Sequence, residues 1–150
     1  MIKINSSQFN YKYGDQIHFP YSISSLVSYV KSKLELARNF TFEKCFVFRD
    51  KIDDYIQECN DSDILLCSCY VWNWQITTHL AREVKKINPN CTIIFGGPHI
   101  PELSTDFFKN NPFVDIVVHG EGEYVAEEIL NAYLKDKDYS HIKGIETKDF

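Results

Sequence analysis

Basic charge is in short supply in this sequence. Sixteen Lys and Arg stand against 21 Asp and Glu, a formal net charge of -5. Nucleic-acid binding wants a cationic footprint over the phosphates, so this balance argues against such a partner. Short runs such as Lys85-Lys86 read as solvated helix faces. Long apolar runs are missing too. None approaches the roughly 20 residues that span a bilayer, and Met1-Ile2-Lys3-Ile4 leads into polar residues rather than a secretion signal. The expectation is a soluble, cytoplasmic protein with no membrane partner. Metal-ligand spacing is also lacking. The five cysteines are Cys45, Cys59, Cys67, Cys69 and Cys91. Cys67-x-Cys69 has no second ligand pair around it, so neither a zinc nor an iron–sulfur site is expected. An odd number of cysteines inside apolar runs reads as reduced structural thiols. There are no repeats, no low-complexity segments and no internal linker, which leaves residues 1–150 as a single domain. The chain stops just after a strand-like stretch, and reads as the front module of something longer or one that works with a separate partner.

What is present is a core-forming composition: 44% hydrophobic and 25% charged over 150 residues, with nine Tyr and eleven Phe. That suffices for a globular core without staples. Residues 2–9 read as a weak strand, and 10–22 as an ordered loop closed by Pro20. From Ile23 the period changes to that of a helix, with Ile23, Leu26, Val27, Val30, Leu34 and Ala37 on one face and Ser22 as N-cap. Strands are predicted at 45–48, 63–69, 91–95 and 114–118, each apolar and bounded by turn residues. Helices are predicted from Asp50 to about Cys59, over 75–87 and over 123–135. A helical turn is expected around 105–109 and a short edge strand at 142–147. Alternation of strands and helices implies an α/β fold, a flavodoxin-like (Rossmann-like) open parallel sheet of about five strands with helices on both faces.

Three strand ends carry unusual residues, and in such a sheet all three loops fall on the carboxyl edge, where ligands bind. The first is Ser68-Cys69-Tyr70-Val71-Trp72-Asn73. Its Ser hydroxyl faces a ligand or caps a helix; Tyr70 and Trp72 add flat apolar surface; Asn73 reads equally as a cap. The second is Gly96-Gly97-Pro98-His99, where paired glycines permit positive φ and a close backbone approach, and where His99 is either a contact or a surface residue. The third is Gly120-Glu121-Gly122-Glu123. Glu121 can accept hydrogen bonds from ligand amides or hydroxyls, Glu123 suits the positive end of the following helix, and the two carboxylates argue against phosphate there. Residues 96–99 and 120–123 are expected to be two walls of one cofactor cleft.

Taken in order, Ser-Cys-Tyr-x-Trp-Asn, Ile-Ile-Phe-Gly-Gly-Pro-His and Val-Asp-Ile-Val-Val-His-Gly-Glu-Gly-Glu resemble the N-terminal cobalamin-binding domain of cobalamin-dependent radical SAM proteins. Phe19-Pro20-Tyr21-Ser22 and Ile142-Lys143-Gly144-Ile145 extend the resemblance over essentially the whole chain. It implies a cobalamin-binding module, with the corrin over the loops and the nucleotide tail beside the sheet near Gly96 and Gly97. It also implies that Ser68 and Tyr70 lie against the tail, Tyr21 beneath the cobalt, and Glu121 and Glu123 near propionamides or tail. The implied cofactor-binding set is Tyr21, Ser68, Cys69, Tyr70, Val71, Trp72, Asn73, Gly96, Gly97, Pro98, His99, Gly120, Glu121 and Glu123.

Two departures qualify the likeness. Asp-x-His-x-x-Gly is absent, Asp15-Gln16-Ile17-His18 being the nearest approach with the wrong spacing, so no protein histidine is expected as lower ligand. Cys-x-x-x-Cys-x-x-Cys is absent as well, so the chain carries no iron–sulfur cluster. No activity is expected from it alone, and a radical SAM domain in the same or another chain would be its partner. Rival readings are a degenerate flavodoxin-like domain serving as an interaction module, or one binding a nucleotide or flavin. No Gly-x-Gly-x-x-Gly follows the first strand, and Asp115 is badly placed for a receiver.

Overall fold

The computed structural model describes residues 1–102 and 106–148. The chain runs through β1 (Ile2–Ser7), a small hairpin of β2 (Lys12–Tyr13) and β3 (Gln16–Ile17), and the helices α1 (Tyr21–Ser32) and α2 (Leu34–Ala37). Next come β4 (Phe40–Phe46), a 3-10 turn at Arg49–Lys51, α3 (Ile52–Glu58), β5 (Ile64–Ser68), α4 (Trp74–Ile87) and β6 (Thr92–Gly96). The last elements are α5 (Phe107–Asn110), β7 (Ile116–Val118), α6 (Gly122–Lys135) and β8 (Ile145–Thr147). The main sheet has the order β4-β1-β5-β6-β7-β8. All its pairs are parallel except β7 with β8, which is antiparallel at the edge. Leaving out the hairpin and edge strand, this is the flavodoxin-like order, whose switch point lies between β1 and β5. No described helix is long and apolar enough to cross a membrane.

Strand side chains alternate between two cores, as a period of two requires. Leu65, Cys67, Ile93, Phe95 and Val117 face α3, α4 and α5. Ile64, Leu66, Ile94, Ile116 and Val118 face α1, α2 and α6. β5 is buried along its whole length, which is why it reads as one continuous apolar run. Cys67 and Cys69 share one face, as their spacing requires.

Several boundaries differ from the sequence reading, for physical reasons. α1 starts at Tyr21 rather than Ile23, because Pro20 holds the N-cap position and Gln8 Oε1 accepts a bond from the Ile23 amide. Ser22 therefore sits inside the helix instead of capping it. α1 ends at Ser32, so Leu34 falls in α2 and is exposed. β4 begins at Phe40, five residues before the expected start. Its Glu43 and Lys44 are exposed, the polar marking of an edge strand. Residues 10–22 hold the hairpin, whose two-residue strands carry no apolar period. Of the expected turn around 105–109, Phe107–Asn110 is helical and residue 105 lies outside the described residues.

Candidate functional site

The loops after β5, β6 and β7 leave the sheet at one rim. Ser68 pairs in register with Gly96, and Phe95 with Val117. The first two loops stay bonded beyond the strands: Cys69 N donates to Gly96 O at 2.7 Å, and His99 N to Cys69 O at 3.2 Å. Gly97 makes this possible. Its φ is +111°, and a Cβ there would lie 2.5 Å from Cys69 O. The close approach that its hydrogen side chain permits is thus to a neighbouring loop's backbone.

Inside the rim a cavity of about 500 Å³ runs down between α1, α6 and the sheet. Its floor is Leu66, Ile94 and Val118, and its walls include Leu26 on α1 and Ala126 and Ile129 on α6. The mouth is lined by small or polar residues: Ser22, Ser25, Ser68, Gly96, Gly120 and Gly122. The slot exists because these positions lack the volume to bridge helix and sheet. Its size is that of a pocket for a drug-sized ligand, and its apolar depth with a few polar groups at the entrance suits a flat, neutral heteroaromatic group. Among the described residues no group hydrogen-bonds the Ser68 hydroxyl, which leaves it free for such a ligand. At Gly120, φ is +76° and an added Cβ would meet nothing within 4 Å, so the rim is open there.

Of the residues singled out from the sequence, Tyr21, Ser68, Tyr70, Gly96, Gly97, Pro98, Gly120 and Glu123 line this one slot. Both glycine loops contribute to its mouth, one through Gly96, Gly97 and Pro98 and the other through Gly120, Gly122 and Glu123, whereas its walls are α1 and α6. The other six lie outside it. Cys69 is wholly buried in the α4-side core, where burial pushes its thiol well above the usual range. Val71 and Trp72 are exposed at the rim, the Trp72 ring stacked on Tyr70 at 4.5 Å. Asn73 is fully buried and braces the first loop: its Oδ1 accepts from Tyr70 N at 2.8 Å, and its Nδ2 donates to Ser68 O at 3.0 Å and to Phe9 O at 3.2 Å. His99 is exposed with its ring edge-on to Trp74. Glu121 is exposed just ahead of α6.

Two hydroxyl–carboxylate bonds join α1 to α6 on successive turns. Ser25 Oγ donates to Glu123 Oε1 at 3.0 Å, and Tyr29 Oη donates to Glu127 Oε2 at 2.8 Å. The second raises the Tyr29 phenol above its ordinary range, because the carboxylate holds its proton. Apart from Tyr21, the sequence reading missed the α1 wall, and it missed the aliphatic floor. A signal existed: Ser22 and Ser25 sit three apart beside Leu26, so the helix carries small polar groups along the edge of its apolar face.

Residues 27–130 match the family model described as the B12 binding domain. The chain belongs to that family. Its ligand is therefore cobalamin, and this B12-binding domain is similar to that of cobalamin-dependent radical SAM methyltransferases. It is 35% identical over 124 residues to 2-(S-pantetheinyl)-carbapenam-3-carboxylate methyltransferase of Streptantibioticus cattleyicolor, covering 82% of this chain and 18% of that one. It is 32% identical over 124 residues to the cobalamin-dependent radical SAM methyltransferase TokK of Streptomyces tokunonensis, with the same coverage. A shorter likeness, 23% over 91 residues, links it to the anaerobic magnesium-protoporphyrin IX monomethyl ester cyclase of Cereibacter sphaeroides, with 61% of this chain and 15% of that one aligned. The B12-binding domain thus spans about a fifth of the length of the curated relatives it matches.

Proposed function

We propose that this domain holds cobalamin with its nucleotide tail in the slot between α1, α6 and the sheet, and presents it to a radical SAM domain in the same chain or another. The carrying observation is the slot itself, an apolar cavity of about 500 Å³ at the carboxyl rim of a B12-binding fold. Cobalamin supplies the cobalt chemistry, for which methyl transfer is the expected use; the protein binds, orients and excludes water. Leu66, Ile94 and Val118 give the tail an apolar floor, and Ser68 offers its free hydroxyl. Tyr21 and Tyr70 offer flat faces within the slot's lining, and Trp72 offers one outside it. Gly120 leaves the backbone approachable, and Glu121 is a free acceptor for amide groups.

With no Asp-x-His-x-x-Gly motif in the sequence, the domain would be expected to offer the cobalt no histidine ligand. Five histidines are present, and none lines the slot. His18 packs edge-on against Tyr13 on the hairpin, His99 lies against Trp74, and His119 Nε2 pairs with Glu146 at 2.9 Å. The remaining two, His79 and His141, are exposed.

Mixing the purified domain with hydroxocobalamin, desalting and recording the visible spectrum tests the assignment. Corrin bands at one equivalent per chain are expected. Ala126→Phe, which fills the slot from α6, is expected to abolish retention while the far-ultraviolet circular dichroism stays unchanged. A colourless wild-type protein, or full retention by Ala126→Phe, sinks the slot assignment. Reduced to cob(II)alamin, the complex should lack the nitrogen superhyperfine splitting of an axial imidazole in electron paramagnetic resonance.

A further inference from the structure

The slot changes character with depth. Residues two apart on a strand share a face, so each floor strand sends two in succession towards the slot. These are Leu66 then Ser68 from β5, Ile94 then Gly96 from β6, and Val118 then Gly120 from β7 and its loop. The second of each pair, nearer the rim, is serine or glycine. The first, roughly 7 Å deeper, is a branched aliphatic. α6 closes the depth with Ala126, Ile129 and Leu130, spaced three and four apart on one helix face. All six deep residues are buried and pack in one cluster. Polar side chains stop at the mouth. There the Ser22 hydroxyl meets the Tyr70 hydroxyl at 2.6 Å, Ser25 donates to Glu123 at 3.0 Å, and Ser68 alone stands unpaired among the described residues. Cys67 borders the slot, but its side chain packs in the opposite core. The backbone of the floor is committed too, because β5, β6 and β7 are consecutive neighbours in the sheet.

We infer that the slot selects among cobamides by the polarity of the tail's base, taking one whose far edge is hydrocarbon and discriminating against a purine. The inference rests on the tail-in-slot reading above and extends it to the chemistry of the base. Cobamides share one corrin ring and differ in that base. In cobalamin it is dimethylbenzimidazole, whose six-membered ring carries only carbon and two methyl groups. Adenine carries two ring nitrogens and an amino group on the corresponding ring. The ribose is attached to the five-membered ring and leads back to the mouth, so the six-membered ring enters first. Methyl groups placed between Leu66, Ile94, Val118 and Leu130 leave water for apolar contact, which is favourable. Adenine's polar groups placed there lose their bonds to water and find no partner, which costs more than any ordinary hydrogen bond returns. The Ser68 hydroxyl is too near the rim to serve them. Ile94 and Val118, at the centre of the floor, are the specificity-determining positions.

Equilibrium dialysis of the purified domain against the methyl forms of cobalamin, adeninylcobamide and p-cresolylcobamide decides it. The adenine form should bind roughly ten- to a hundredfold more weakly than the other two. The p-cresol base has no ring nitrogen and carries an outward methyl group, so its binding separates polarity from the identity of the ring. Val118→Thr and Ile94→Thr keep the branch at Cβ and place a hydroxyl on the floor. In each, the affinity for the adenine form relative to cobalamin should rise about three- to tenfold, the worth of one hydrogen bond. Whatever the free cofactor spends on releasing its base from cobalt is the same for every protein and cancels from that ratio. Equal affinities for all three cobamides, or exclusion of the p-cresol form along with the adenine form, overturn selection by polarity. An unchanged ratio in both threonine variants removes the choice from the floor and overturns it as well. Ala126→Phe keeps these failures apart from failure of the underlying reading. If that variant retains all three cobamides, the tail lies elsewhere and both inferences fall. If it loses all three while the wild type binds them equally, the slot holds the tail and only the selection falls.

Discussion

On the α4 side of the sheet the space between layers is filled with rings. Phe46 stacks on Tyr55 at 4.2 Å, Trp74 meets Phe95 at 5.8 Å, and Phe113 closes against Phe95 at 6.4 Å. On the α1 side the same strands present Leu66, Ile94 and Val118, and the helices above them carry Ser22, Ser25, Gly122 and Ala126. One face is sealed and the other keeps a cavity of about 500 Å³. The strands are shared, so the difference lies in side-chain volume at alternate positions. The α1 face gives up packing to leave room for a ligand. Close packing is the norm in protein interiors, so a void of this size at a strand rim is functional evidence in itself.

High pH should test that division with the largest effect. Cys59, Cys67, Cys69 and Cys91 all lie in the sealed core. Burial pushes Cys59 and Cys91 up to about 12 from an ordinary value of 9.0, and Cys67 and Cys69 are raised as well. A raised thiol pKa means that the folded state keeps its protons longer than the unfolded chain does. The stability it contributes is complete below pH 9 and lost as pH climbs towards the folded value. Each such thiol removes up to about 1.4 kcal/mol per pH unit in that window. Urea unfolding at intervals from pH 8 to pH 11 should show a steep fall beginning near pH 9, shallower in Cys91→Ala. A flat profile would mean that this core admits water.

Neighbouring residues of β6 sharpen the comparison. Phe95 points into the sealed face and Ile94 into the slot. Phe95→Ala should cost about 3–5 kcal/mol, because it opens a new enclosed void among rings. Ile94→Ala should cost about 2 kcal/mol, since the lost methyls border a cavity that already exists. Denaturant midpoints of the two variants provide the check, and a larger loss at Ile94 would reverse the assignment of the two faces.

The sealed face was the more legible of the two in the sequence. Continuous runs such as Ile64 to Cys69 announce strands buried on both sides, and they fixed the sheet and its carboxyl rim. The glycine loops and Ser68 were legible because special backbone and polar residues at apolar strand ends stand out. The first half of β4 was hidden because Glu43 and Lys44 mark a solvent edge rather than a core. Asn73 read as a cap or a ligand contact, whereas it braces its own loop through three backbone groups. The slot walls were illegible for a different reason. A cavity arises where residues from α1, α6 and three strands together lack volume, and no single position records that.

Gly97 and Gly120 separate backbone demand from ligand demand at the rim. Both have positive φ, but a Cβ at Gly97 collides with Cys69 O whereas one at Gly120 meets open space. Gly97→Ala should cost about 3 kcal/mol, through the strained backbone and the displaced loop. Gly120→Ala should cost about 1 kcal/mol, through the backbone term alone, with a loss of cobalamin retention as its main effect. Paired thermal melts and retention assays would show this split; equal stability losses would remove the distinction.

The smallest effect belongs to a flaw in the sealed face. Thr77 on α4 is completely buried, and among the described residues its hydroxyl has no hydrogen-bond partner. An unpaired buried hydroxyl gives up its bonds to water and gains none in return, at a cost of about 1–3 kcal/mol. Thr77→Val keeps the β-branched shape and removes that cost, so stability should rise by about 1 kcal/mol, read as a higher urea midpoint with an unchanged slope. Cobalamin retention should not change, because α4 packs on the side of the sheet away from the slot. A loss of stability instead would mean that the hydroxyl is satisfied by a water held inside the aromatic core, and the sealed face would then be wetter than its rings suggest.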